Sequence, residues 1–237
     1  MHSTALLSRK KFIHSALKTA SGLFFAGTAA SMFLHCTKNE KKEEEISPLE
    51  DLMREHGLLK RVMLCYDEIR ARLENKRNVP SGELADSASI IRNFIENYHE
   101  KLEEDHLFPR FKKAGKLVDL VDVLLSQHKA GRALTGVIID NSSRKALGDA
   151  GKRAKVITAL RQFNRMYGPH QAREDTVLFP AFRILVTPKE YDALGEEFEE
   201  HEHKLLGKEG FEGMVDKVTA VEKTLGIYDL AQFTPRV

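Results

Sequence analysis

The chain has 237 residues, enough for one moderate domain with appendages. Charged residues make up 30% of it and aromatics 8%, with few glycines and prolines, which suits amphipathic helices and argues against a β-sandwich. The net charge of +2 conceals a division: residues 1–36 carry +4 from Arg9, Lys10, Lys11 and Lys18 and hold no acid, so the remainder carries −2. That mildly acidic body excludes a nucleic-acid partner as the natural expectation.

The N-terminus reads as an export signal. Arg9-Lys10-Lys11 forms a basic head, and the uncharged run from Ala20 to Leu34 is short for a membrane span. Ser8-Arg9-Lys10-Lys11-Phe12-Ile13 resembles a twin-arginine signal with Lys10 in place of the second arginine. Cys36, directly after the apolar run, resembles a lipoprotein acceptor cysteine, although Phe33-Leu34-His35 departs from the usual lead-in. An exported protein of the periplasm or cell envelope is expected, either anchored at Cys36 or by its signal, or released. Residues 37–47 are too charged to bury themselves and read as a tether. Cys65 is the only other cysteine, so no disulfide framework is expected, and it points away from the face that carries His56.

Ser47-Pro48 reads as an N-cap and first helical residue. A first helix over about 48–75 follows, with His56 in the middle of its apolar stripe. Pro80 and Gly82 break the chain before a second helix, about 83–107, which Pro109 should end or kink. A turn around Gly115 leads to a third helix over about 117–140 carrying His128, and a polar connection spans Asn141 to Gly151. The fourth helix, about 152–186, should bend at Gly168-Pro169. Thr187-Pro188-Lys189-Glu190 has the form of a capping box opening an accessory helix over 188–206, and a shorter one follows over 211–225. Neither accessory helix is expected to present a four-spaced His/Glu pair on an apolar stripe, and His201 and His203 are assigned to the surface.

One pattern occurs twice. His99 to Phe111 and His170 to Phe182 share H-x3-E-x3-L-F-P-x-F. Residues four apart lie on one helical face, so each copy aims an imidazole and a carboxylate at one place. His56 precedes His99 by 43 residues and His128 precedes His170 by 42. The chain therefore reads as two matched hairpins in an all-α, up-down-up-down four-helix bundle with two short accessory helices at the C-terminal end. His56, His99, Glu103, His128, His170 and Glu174 would meet near a pseudo-twofold axis. Imidazole and carboxylate donors without thiolate suit iron or manganese, less often zinc. Carboxylates placed between two ions can bridge them, and six protein ligands leave open positions.

The order H…H-x3-E…H…H-x3-E, with Leu-Phe-Pro after both glutamates, resembles the hemerythrin-like (HHE cation-binding) proteins over about residues 49–186. The resemblance implies a non-haem di-iron centre, with the four histidines as terminal ligands and Glu103 and Glu174 bridging. O2, NO or peroxide would be the small ligands, with an electron donor as a further partner. Oxygen-carrying members have another histidine one turn after the third-helix His, and Arg132 stands there in this chain. That departure keeps three roles open: binding or sensing O2 or NO, turning over small oxidants as an oxidoreductase, and storing or delivering iron. His106 could be a seventh ligand, a group behind the ligands, or a solvent-side residue. Tyr66, Tyr98 and Tyr167 could line the cavity or lie in the ordinary core.

Overall fold

The computed structural model describes residues 46–80 and 82–236. The export segment, Cys36 and nearly all of the charged tether lie outside the described residues. Residues from Ser47 onward form one compact unit.

Helix α1 spans Pro48–Glu74, with the Ser47 hydroxyl accepting from the Glu50 amide and Pro48 in the first turn. Element α2 covers 83–114 and is not uniform. It runs Glu83–Ile90 as α-helix, Ile91–His99 as π-helix, Glu100–Leu102 as α-helix, Glu103–Leu107 as a π-turn and Phe108–Ala114 as α-helix. Gly115, with φ 63°, closes it in the left-handed conformation that suits glycine. Helix α3 is Val118–Asp140 and α4 is the short Arg144–Gly148 within the expected polar connection. Element α5 covers 150–185 as Ala150–Arg173, the π-turn Glu174–Leu178 and Phe179–Leu185. Helix α6, Pro188–Leu206, opens on the expected capping box between Thr187 and Glu190, and α7 is Gly210–Leu225.

The helices α1, α2, α3 and α5 are the four staves of an antiparallel bundle, each touching its two neighbours in chain order, with α5 closing back on α1. The core runs the length of the bundle through Leu52, Leu59, Ile69, Phe94, Leu124, Leu160 and Phe163. Met53, assigned to the α1 stripe from the sequence, is instead 38% exposed. Helix α7 lies across α1 and α2 and buries Val218, Val221 and Leu225, each worth about 1.5–3 kcal/mol when fully withdrawn from water. Arg61 on α1 fixes it in place by pairing with Glu222 at 2.6 Å and with the Thr219 hydroxyl at 2.8 Å. Among the described residues no helix is long and apolar enough to cross a membrane.

Pro109 does not end α2, and the reason is the π-turn before it. The Phe108 amide bonds the carbonyl of Glu103, five residues back, so a fresh α-segment starts at Phe108. Pro109 then sits in the first turn of that segment, where no amide hydrogen is required of it. Pro180 takes the same place after the π-turn that starts at Glu174. Element α5 also continues through Pro169.

Candidate metal centre

All six residues singled out from the sequence converge inside the bundle, each less than 5% exposed. His56 comes from α1, His99 and Glu103 from α2, His128 from α3, and His170 and Glu174 from α5. They form two groups able to hold an ion: His56, His99 and Glu103 in one, His128, His170 and Glu174 in the other.

The two carboxylates span these groups. Glu103 places one oxygen 3.8 Å from His99 Nε2 and the other 3.5 Å from His128 Nε2. Glu174 Oε2 lies 3.1 Å from His170 Nε2 and 3.4 Å from His56 Nε2. The Nε2 atoms of His56 and His99 face each other at 3.0 Å. All four Nε2 atoms thus point inward, and every Nδ1 points outward to a partner.

Those outward partners obey a rule. His99 Nδ1 lies 2.7 Å from Glu55 and His170 Nδ1 lies 2.8 Å from Gln127. Glu55 and Gln127 each precede the lone histidine of the same hairpin. His56 Nδ1 lies 2.7 Å from Asp175 and His128 Nδ1 lies 3.1 Å from Glu104. Asp175 and Glu104 each follow the glutamate of the opposite hairpin. Such a contact at the second ring nitrogen fixes the tautomer and leaves Nε2 as a free donor for an ion. Sequence reasoning missed these four residues, although each adjoins a residue it had found.

The phenylalanines of Leu-Phe-Pro also cross between hairpins. Phe108 stacks on His128 at 5.5 Å, and Phe179 stacks on His56 at 5.5 Å. Beyond them Phe111 and Phe182 meet at 5.9 Å and seal that end of the bundle. Register slips in the helix place these rings, and π-turns of this kind concentrate at functional sites.

Buried in this dry space, the ionisable groups do not satisfy one another. Burial alone would lower the His56 pKa, but its bond to Asp175 and the nearby Glu174 carboxylate raise it to about 9. Burial and the nearby His56 charge hold His99 well below the usual imidazole range. Burial and the charge of Glu174 push Glu103 well up, whereas His170 and His56 overcome burial at Glu174 and hold it down. Both oxygens of Glu103, both of Glu174 and Nε2 of His128 lack a hydrogen-bond partner despite full burial. An unsatisfied buried carboxylate is costly, and metal cations between the two groups would relieve both at once. The donor set fits such ions.

Arg132 neither ligates nor reaches free into solvent. Its guanidinium lies 2.7 Å from Glu104 and 2.8 Å from Glu100, and donates to the Glu96 carbonyl. Its charge is spent on carboxylates outside the ligand set, one of which orients His128. The Tyr167 hydroxyl donates to Glu100 at 2.6 Å and not to Glu103 or Glu174. Gly131 makes room for it, since a Cβ there would collide with that hydroxyl. Burial pushes Glu100 up to about 8, with Tyr167 and Arg132 opposing the shift. Tyr66 and Tyr98 are core residues, 0% and 1% exposed.

A four-helix bundle with inward histidines and glutamates and no thiolate among them defines a metal-binding helical protein. The sequence matches the hemerythrin HHE cation binding domain over residues 47–140 and again over residues 119–225. The chain belongs to that family, whose domains bind metal ions, typically iron. Three relatives are each 46% identical over 195 residues, which covers 82% of this chain and 76% of theirs: uncharacterised proteins of Mycobacterium bovis and of two strains of Mycobacterium tuberculosis. No solved structure is significantly similar to the chain.

Proposed function

We propose that the chain holds two iron ions between its hairpins and binds O2 or NO there, in the cell envelope. His56, His99 and Glu103 would hold one ion, and His128, His170 and Glu174 the other, with both carboxylates shared. The observation that carries this reading is that each of two buried carboxylates approaches histidines of both groups while lacking hydrogen bonds of its own. Bound iron would supply open coordination positions and electrons for a small ligand. The protein's own part is to orient the imidazoles through Nδ1 so that each Nε2 faces the centre, and to exclude water with Phe108, Phe179, Phe111 and Phe182. Envelope location rests on the basic head, the apolar run and Cys36.

A second reading, an oxidoreductase acting on O2, NO or peroxide with an outside electron donor, is favoured by Arg132. No fifth ligand histidine stands there, which would leave a position for exchange, and Arg132, Glu100 and Tyr167 set a proton-bearing network beside His128 and His170.

Metal analysis of iron-supplied protein should find about two irons per chain. Anaerobic reduction followed by O2 exposure, watched by visible absorption, then separates the readings. A stable, reversible oxy species supports carriage; rapid oxidation with consumption of peroxide supports the enzyme. A colourless protein holding only zinc sinks both.

A further inference from the structure

His106 does not join the central site. Seven residues after His99, it would share that histidine's face in a regular α-helix. The π-turn Glu103–Leu107 inserts a slip of one residue, about 100° of rotation, and turns His106 outward to α6. There it meets Glu197 and His201, which lie four apart on one face of α6. Glu197 is exposed and His201 half-buried, so the pair lies at the edge of α6 and not on an apolar stripe.

We propose that His106, Glu197 and His201 form a separate cation site that takes one divalent transition-metal ion of the Zn2+ class and pins α6 to α2. One donor atom from each residue lies within 4.8 Å of the other two. His106 Nδ1 is 3.4 Å from a Glu197 oxygen. The rings of His106 and His201 stand perpendicular with centroids 5.9 Å apart. Phe198 packs edge-on against His106 at 5.5 Å and walls the site on its inner side. The His106 side chain is 13% exposed while that of Glu197 is 47% exposed, so the cluster has a sheltered back and an open front through which an ion can enter. Burial lowers the His106 pKa, which keeps its lone pair available at neutral pH. Arg110 approaches by bonding the His106 carbonyl, and Asp105 lies close enough to offset its charge. Two imidazoles and one carboxylate with a solvent-facing vacancy match the borderline preference of Zn2+, and nothing here demands the six-coordinate oxygen cage of Ca2+ or Mg2+.

Equilibrium dialysis of the iron-loaded full chain against Zn2+, with both metals measured, tests this. Wild type should take up one zinc beyond its central metals. His201→Ala and Glu197→Gln should each lose that ion while keeping the central metal content and its visible absorption. Zinc should also slow proteolysis within α6 in wild type and not in the variants. Circular dichroism confirms that each variant is folded, and either one suffices. Equal zinc uptake by wild type and both variants overturns the proposal, as does no uptake beyond the central metals, which would make His106–Glu197 a polar contact only. Because the readout is the difference between wild type and variant, a central site filled with some other metal leaves the test intact.

Discussion

The two hairpins, α1–α2 and α3–α5, present the same ligand set but stand in different surroundings. Both accessory helices lie on the first hairpin, where α7 covers α1 and α2 and α6 covers α1 and the middle of α2. The second hairpin leaves Val123, Val137, Ile139 and Ile184 in solvent. The inner partners differ as well. In the first ion group both histidines rest on acids, Asp175 and Glu55. In the second, His170 rests on the neutral Gln127, and the acid behind His128 is already engaged by Arg132. A charged acceptor at Nδ1 makes the imidazole a stronger donor than an amide does. One repeat, read twice, thus yields two unequal ion positions.

The largest effect should come from removing what the halves share. Glu103→Ala together with Glu174→Ala should empty both positions, because each carboxylate reaches both groups. Retention of a full metal complement, measured on the purified variant, would falsify a carboxylate-bridged pair. The outer partners come next. Glu55→Ala should weaken metal retention by about ten- to a hundredfold, toward the upper part of the range for such contacts, and Gln127→Ala toward the lower. Competition with a chelator measures both, and equal losses would remove the claimed inequality.

Arg132 and its counterpart in the first hairpin, Lys60, sharpen the comparison through stability. Lys60 is exposed, so Lys60→Ala should stay within about 0.5 kcal/mol of wild type in urea unfolding. Arg132→Ala removes the cation from the buried Glu100 and leaves Glu104 to Lys101 alone, and should cost about 1–3 kcal/mol. Gly131→Ala should also destabilise, by about 1–3 kcal/mol, through the clash with Tyr167.

The smallest contrast is chemical. Cys65 on α1 corresponds to Val137 on α3, and α7 covers only the former. Burial, with Glu222 adding to it, pushes the Cys65 thiol up to about 12. In a Cys36→Ser background, native Cys65 should resist a thiol reagent at pH 8, whereas a cysteine introduced by Val137→Cys should react. The sign for stability follows. A raised acid pKa favours the folded state below pH 9, and this contribution is lost as pH climbs from 9 toward 12. Prompt labelling of Cys65 at pH 8 would show that α7 does not hold its place.

Much of this was legible in the chain because helical periodicity is local. Ser47-Pro48, Thr187 to Glu190 and the two His-x3-Glu pairs each announce themselves within one or two turns. The π-turns do not, since a slip of one hydrogen bond changes no residue type. That is why Pro109 was read as an end or a kink and His106 as sharing the face of His99. Asp175, Glu104, Glu55 and Gln127 looked like ordinary helix-surface residues; only packing between helices turns them onto an imidazole. The meeting of His106 with α6 is a contact between residues more than ninety apart in sequence, and no periodicity encodes it.

The crossing of Phe108, Phe179, Glu104 and Asp175 between hairpins makes each half incomplete without the other. Each hairpin supplies ligands, but the ring that covers its first histidine and the acid that steadies that histidine are donated by the other. A lone hairpin would expose half a site to water. Two copies of one hairpin, set about the same axis, would complete each other reciprocally. The present chain is thus built like a symmetric dimer joined into one chain, with Gln127, Arg132 and a pair of covering helices setting its two sides apart.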